Sequence, residues 1–284
     1  MKGVHPLVEQ AFRRGSQTYF NTAVFFPRAI RRDVFLLYGF VRTADNFVDA
    51  IPQDAPGFYS FRRRYEAARS SGGLAGDPII DAFLDVSRRR GFAAAWTDAF
   101  LDAMEADLTK RRYETLDELL GYMHGSAEVI GLCMAAIMGL APEAGQAAAM
   151  LGRAMQYLNF IRDIEEDNAL GRTYLPLAGS GLADLKAATA RAKPDAFAAF
   201  VRAQVELYRQ WQTQAEAGFG WIPWRSRVPV MTASRMYDWT AAVIHRNPFI
   251  VYQQKVKPSK PRITAELFRN AFRAFGCRRP GTPA

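Results

Sequence analysis

Two pairs of aspartates with the same four-residue spacing lie in distant stretches of the chain. Asp45 and Asp49 sit in RTADNFVD, Asp163 and Asp167 in NFIRDIEED. Both stretches read as helix, and residues i and i+4 share one helical face. Each pair therefore projects two carboxylates in one direction. Like charges so placed repel by about a few tenths of a kcal/mol on an exposed helix. Burial makes them far costlier unless a cation lies between them. The spacing calls for a fold in which two helices turn their acidic faces toward divalent metal. Two such faces across a cavity would hold a metal–diphosphate.

The rest of the composition fits a helical protein. The 284 residues are 49% hydrophobic and 23% charged, which allows a substantial core. Alanine is abundant and alternating strand patterns are missing, so the expected class is all-α. A formal charge of +9 implies an anionic partner. Nucleic acid, an anionic membrane surface and a phosphorylated substrate all satisfy it. Nucleic acid is the weakest of these, because no binding motif accompanies the scattered arginines.

Cys133 and Cys277 have neither metal-site nor disulfide spacing. The N-terminus lacks the apolar segment of a signal peptide. The expectation is a reducing, cytoplasmic setting, with peripheral contact at the inner membrane face as its variant. The longest apolar run, Val129 to Ala141, is too short to span a bilayer and long enough for a buried helix.

Along the chain, Pro27 and Pro52 bracket a helix over Arg28–Ala50, and a loop follows over Pro52–Gly57. Further helices are predicted over Phe58–Ser70, Ile79–Arg89 and Ala93–Lys110. Thr115 caps another, with Asp117 and Glu118 in its first turn. Gly121–Leu140 reads as an apolar helix, and Pro142–Asn168 as a long one ended by Gly171. Leu182–Thr189, Asp195–Gly218, Val228–Arg246 and Thr264–Gly276 complete the set, with Asn247–Pro261 left open. No internal repeat occurs, the Gly/Pro breaks are short, and the two acidic clusters need each other. One domain over 1–284 is expected, with a flexible tail from about 277.

The surroundings of the pairs sharpen their meaning. Ala44, Phe47 and Val48 flank the first, and Arg42 precedes Asp45 by three positions on the same face. Such an arginine can meet a phosphate bidentately. In the second stretch, Gln156, Asn159, Asp163 and Asp167 form a polar stripe. The remaining faces carry Leu151, Met155, Leu158, Phe160, Ile161 and Ile164. A polar stripe so bounded suits a lined cavity. Mg²⁺ is held by one or two carboxylates plus substrate phosphates, and Arg162 and Arg172 add positive charge.

These strings resemble the squalene/phytoene synthase family. Tyr38, Arg42, Asp45 and Asp49 match its first aspartate-rich signature. Gln156, Asn159, Arg162, Asp163, Asp167, Gly171, Arg172, Tyr174, Leu175 and Pro176 match its second. Ser16 and Thr18 resemble its small hydroxyl residues near the diphosphate. DLTKRRYETLDELLGY and YMHGSAEVIGL, the latter with Tyr122, Ala127 and Gly131, resemble the stretch beside its site and the helix lining its prenyl tunnel. The likeness runs from about residue 10 to 265. Two positions depart from it: Asn46 stands where many members are acidic, and Glu128 where a small residue is common.

The resemblance implies a helical bundle of the class I isoprenoid synthase type with a central cavity. It implies head-to-head condensation of two prenyl diphosphates through a cyclopropyl diphosphate. Asp45, Asp49, Asp163 and Asp167 would hold Mg²⁺, with Mn²⁺ as a substitute. Ser16, Thr18, Arg42, Arg162 and Arg172 would meet diphosphate. Gln156 and Asn159 would complete the polar rim, and Ala127 and Gly131 the tunnel. Tyr38 would offer an aromatic face to passing positive charge, and Tyr122 and Tyr237 match tyrosines near the cyclopropyl site. GSAEVIGL looks closer to phytoene synthases, which couple two C20 units without a reductant. Squalene synthases couple two C15 units and need NADPH.

Other readings stay open. Head-to-tail prenyltransferases and terpene cyclases share the fold, but their acidic motifs fit NFIRDIEED poorly. A non-catalytic assembly or lipid-binding homologue would be consistent with Asn46. Three histidines, His5, His124 and His245, have no partner spacing and receive no role. The C-terminal run LFRNAFRAFGCRR places Phe268, Phe272 and Phe275 on one side and Arg269, Arg273, Arg278 and Arg279 on the other. Such a run either lies on an anionic membrane or docks on the body.

Overall fold

The computed structural model describes residues 25–276. Ser16, Thr18, His5, Cys277, Arg278, Arg279 and the C-terminal tail lie outside them. The described residues form helices and turns, and the one β-type pairing among them is an isolated parallel bridge between Arg112 and Thr173. The helices are α1 (Arg28–Asp49), α2 (Ala55–Ser71), α3 (Pro78–Arg90), α4 (Ala94–Thr109), α5 (Leu116–Met123), α6 (Val129–Met138), α7 (Gly145–Arg162), α8 (Ile164–Ala169), α9 (Ala187–Ala192), α10 (Pro194–Glu216), α11 (Trp224–Arg246) and α12 (Lys260–Gly276).

Local chemistry sets several of these boundaries. Asp77 Oδ1 accepts from the Ile79 N–H at 2.9 Å, Pro78 opens α3, and Gly91 closes it with a φ of 66°. Thr115 Oγ1 caps α5 by accepting from Glu118 N at 3.2 Å, as the sequence predicts. The loop expected over Pro52–Gly57 is shorter. Asp54 caps α2 from its side chain, and Pro56 lies inside the first turn, where its missing N–H costs nothing.

Three differences from the sequence reading bear on the site. The expected helix Gly121–Leu140 is interrupted by a π-turn, His124–Glu128, between α5 and α6. The expected helix Pro142–Asn168 opens with a 3₁₀ turn and breaks at Asp163, whose φ of −101° and ψ of 18° are not helical. The helix expected over Leu182–Thr189 is instead α9, a few residues later. In addition, α11 begins a turn before the expected Val228 and carries Pro229 within it. The proline lies in the second turn and faces a cavity.

Buried apolar residues from Phe26 to Val256 form one cluster. Phe40 of α1 stacks on Phe83 of α3 with ring centroids 3.9 Å apart. On the other side, α7 lies against α10, α6 and the π-turn. That contact depends on glycine. A Cβ on Gly131 would come within 2.1 Å of the Ala148 carbonyl, and one on Gly152 within 2.4 Å of the Ala127 carbonyl. The segment Leu116–Met138 is long and apolar enough to cross a membrane by length and composition, yet half of it is buried here.

These glycines make opposite expectations testable. Gly131→Ala should destabilise the protein by about 1–3 kcal/mol through overpacking. Gly121→Ala, at an exposed helical position with nothing within 4 Å of its Cβ, should stabilise it by about 0.5–1 kcal/mol. Thermal melts of the two variants check the sign of each.

Candidate active site

The two acidic stretches meet although each belongs to a different part of the chain. The bridge is Arg172, whose side chain is only 3% exposed. Its Nη1 donates to Asp49 Oδ1 at 2.7 Å. Its Nη2 donates to the Val48 carbonyl at 2.6 Å and the Asp107 carbonyl at 3.2 Å. Backbone bonds deliver it there: Arg172 N donates to Asp167 O at 2.8 Å, and Thr173 N to Arg111 O at 2.8 Å. The irregular segment after α8 is thereby pinned beside α4, next to the end of α1.

Asp45, Asp49, Asp107, Asp163 and Asp167 come together around this arginine, close enough to act on one another's charge. Burial in the cleft, reinforced by Asp49, pushes the Asp45 carboxyl from its ordinary 3.8 up to about 7, against the pull of Arg42. Asp167 is also driven well up, first by burial and then by Asp163. Among the described residues no side-chain donor serves its carboxylate. Arg42 pairs with Asp45, and Arg162 Nε donates to Asp163 Oδ1 at 2.7 Å. Lys255 adds a second cation, 3.2 Å from Asp163 Oδ1 and in contact with Glu166.

Next to the cluster lies a cavity of about 330 Å³. Tyr38, Gln156, Asn159, Arg162 and Tyr237 form its polar end. Ala127 and Gly131 line its length, and Phe26, Leu140, Phe219 and Ile222 close its apolar end. Its lining positions on α7 run from Ala147 to Arg162, about 22 Å at 1.5 Å per residue. The Tyr237 phenol faces Asn159 and Arg162. Asn159 Nδ2 donates to Gln156 Oε1 at 3.2 Å, while Asn159 Oδ1 is buried with no partner.

Each sequence-predicted residue within the described range can now be placed. Tyr38, Ala127, Gly131, Gln156, Asn159, Arg162 and Tyr237 line the cavity. Asp45, Asp49, Asp163, Asp167, Arg42 and Arg172 gather at its polar mouth. Tyr122 is set apart: its hydroxyl is turned to Asp107 and does not line the cavity. Asn46 is exposed and belongs to neither group. Glu128 turns away from the cavity, held by Arg153 at 2.5 Å and by His124 at 3.1 Å. So His124 has a partner that its sequence context did not suggest, and His245 has one in Glu206 at 3.2 Å.

Sequence reading gave Asp107 no role of its own, although it opens the stretch DLTKRRYETLDELLGY. Its Oδ2 accepts from the Tyr122 hydroxyl at 2.7 Å and its Oδ1 from the Tyr174 hydroxyl at 2.8 Å. Burial lifts its carboxyl to about 6 despite the nearby Arg172. Tyr113, Tyr122, Phe160 and Tyr174 stack around it, with Phe160 and Tyr174 centroids 4.3 Å apart. Its mark in the sequence was its place at the head of that stretch, at the end of α4, a helix that also carries Asp98, Asp102 and Glu105. Lys255 lay in the stretch left open.

Comparison with known proteins agrees with this architecture. A squalene/phytoene synthase family model matches residues 12–262. A 15-cis-phytoene synthase of Paracoccus sp. (strain N81106 / MBIC 01143) is 29% identical over 88% of this chain and 85% of its own. Phytoene synthase 2, chloroplastic, of Solanum lycopersicum is 31% identical over 86% of this chain and 82% of its own. Among solved structures, a dehydrosqualene synthase in complex with ligand superposes with a TM-score of 0.84 at 20% identity, covering 95% of this chain and 98% of that one. The squalene synthase HpnC of Alicyclobacillus acidocaldarius gives 0.75 at 21% identity, over 85% and 93%. The fold is that of class I isoprenoid synthases. The chain belongs to the squalene/phytoene synthase family, prenyltransferases that condense prenyl diphosphates head to head.

Proposed function

We propose that the protein couples two geranylgeranyl diphosphates to phytoene through a cyclopropyl diphosphate, using magnesium. The observation that carries this reading is one continuous cavity with four aspartates, Asp45, Asp49, Asp163 and Asp167, at its polar mouth and only apolar side chains at its far end. The relatives named phytoene synthase support C20 substrates, as does a wall in which Ala127, Gly131, Ala147, Ala148 and Gly152 leave room for a long chain.

The residues at the mouth suit a hard divalent cation. They offer carboxylate and amide oxygens and no sulfur. Asp167 lacks a donor, Asn159 Oδ1 is an orphaned buried acceptor, and Asp45 and Asp49 repel each other. Among the described residues no three acids converge at metal-ligand spacing. Pairs are what magnesium needs when substrate phosphates complete its shell. Asp45, Asp49, Asp163 and Asp167 would hold it. Magnesium, when bound, neutralises diphosphate charge and so makes it a better leaving group.

The chain's own groups do the rest. Arg42 and Arg162, now folded onto Asp45 and Asp163, are half-buried forks that can turn to diphosphate oxygens once those aspartates take a cation. Arg172 stays committed to Asp49 and two carbonyls, and its role is to hold the two clusters together. Gln156, Asn159 and Tyr237 fix the head of the substrate where the cavity lining turns polar. Tyr38 presents a ring at the point where positive charge develops. The apolar wall keeps water from an allylic cation and aligns the second double bond.

A second reading, squalene or dehydrosqualene synthesis from two farnesyl diphosphates, draws support from the likeness to a dehydrosqualene synthase fold. Purified protein given C15 or C20 diphosphate, with Mg²⁺ and with or without NADPH, separates them by the hydrocarbon extracted. Phytoene from C20 without NADPH is expected. C15 products alone would replace the reading. Asp45→Ala and Asp163→Ala should each lower pyrophosphate release by about 100-fold or more while the fold survives.

Proton linkage gives an independent check. A carboxyl whose folded pKa lies above its unfolded value stabilises the fold fully below the unfolded value and loses that contribution as pH rises through the folded one. For Asp45 that window runs from about 4 to about 7. Without divalent metal, the melting temperature should fall across it. Asp45→Asn should flatten the profile and raise the melting temperature at pH 8 while turnover is lost.

A further inference from the structure

The surface around the apolar end of the cavity has an unusual composition. Phe25, beside the cavity-lining Phe26, is 43% exposed, and Trp224, two residues beyond the cavity-lining Ile222, is 47% exposed. Helix α12 runs antiparallel along α11. The Arg262 guanidinium lies 4.7 Å from the Trp239 ring centroid, and Asn270 Nδ2 donates to Thr232 Oγ1 at 3.2 Å. The C-terminal half of α12 is therefore level with Pro229, Val230 and Ala233, the part of α11 that walls the apolar end.

Ile263, Glu266 and Asn270 are the buried face of α12. On its outer face Phe268 and Phe272, one turn apart, are 63% and 80% exposed. Arg269 and Arg273 lie directly beside the phenylalanines, and Glu266 is the only acid of the helix. The expected opposition of phenylalanine and arginine sides is thus replaced by two adjacent exposed stripes. Exposed Lys257, Lys260 and Arg262 extend the positive charge. Two exposed phenylalanines flanked by two arginines that share a single acid, Glu266, with further cations along the helix, suit an interface that is apolar within and anionic at its rim.

We propose that this face docks on an anionic lipid bilayer, with Phe268, Phe272 and Trp224 in the interfacial layer and the basic residues against lipid phosphates. Amphipathic helices with this division lie in the membrane plane, and polybasic segments strengthen them on anionic lipid. The placement brings the apolar end of the cavity against the bilayer. A hydrocarbon product has no group for water to solvate, so the membrane is its sink. That last point rests on the prenyl-coupling reading, whereas the docking itself does not. The apolar segment Leu116–Met138 is not the anchor, because it forms part of the cavity wall.

The test is co-sedimentation of the full chain, without substrate, with vesicles of phosphatidylcholine alone or mixed with phosphatidylglycerol. Binding to the mixed vesicles is expected, weaker at high salt and much weaker on phosphatidylcholine. Phe268→Ser/Phe272→Ser should reduce the partition coefficient about 100-fold, since two buried phenylalanines are lost to the interface. Both side chains are exposed, so the melting temperature and pyrophosphate release in detergent should not change. No binding by the wild type, equal binding to neutral vesicles, or undiminished binding by the double variant would overturn the proposal. A wild-type dimer that the double variant converts to monomer, without vesicle binding, would overturn it in favour of contact with a second copy. Loss of pyrophosphate release in the wild type would instead count against the prenyl-coupling reading alone.

Discussion

A single buried guanidinium ties the active site together. Arg172 bonds to Asp49 and to the Val48 and Asp107 carbonyls, drawing the end of α1, the end of α4 and the segment after α8 to one point. A buried charge is costly unless paired and fully bonded. Here four acceptors, counting the Tyr174 hydroxyl at 3.3 Å, offset part of the cost, while Nε is buried with no partner among the described residues. The same residue that neutralises part of the acidic cluster also decides where it stands. Folding and substrate binding therefore use one electrostatic arrangement.

That arrangement explains why the remaining arginines lie where they do. Burial and the neighbouring acids raise the proton affinity of Asp45 and Asp167, while Arg42 pairs with Asp45 and Arg162 with Asp163. These two are only partly buried, and their partners are the carboxylates a cation would claim. Arg172, almost wholly buried, is bound to backbone as well as to Asp49. The division into movable and fixed cations follows from burial and from the kind of acceptor. It does not follow from residue type, since all three are arginines in signature motifs.

Much of this was legible in the sequence, for physical reasons. Three- and four-residue spacing states which side chains share a face, so Asp45 and Asp49, and Gln156 with Asn159, were placed correctly relative to their neighbours. The helix cap at Thr115 is local chemistry and reads directly. The π-turn at His124–Glu128 was not legible, because a π-turn and an α-helix share the same propensities. It is imposed by packing, where glycines at 131 and 152 let two helices approach within reach of each other's carbonyls. The break at Asp163 has a similar origin. Its carboxylate is held by Arg162 and Lys255, the latter from a segment nearly a hundred residues away.

Asp107 shows why a motif can be complete and a site still be incomplete. It belongs to no four-residue acidic pair, and although it opens the DLTKRRY stretch, its local chemistry assigns it no role. Its importance comes from four long-range partners: Tyr122, Tyr174 and, through its carbonyl, Arg172 and Gln53. With both oxygens occupied by phenols, it is poorly placed to serve as a metal ligand. Instead it orients two tyrosines beside the cluster and adds negative charge that keeps Arg172 in place. The aspartates that face the cleft are thereby distinguished from the one behind them. The aromatic rings around Asp107 keep water from its carboxylate, so its field reaches Arg172 with little screening.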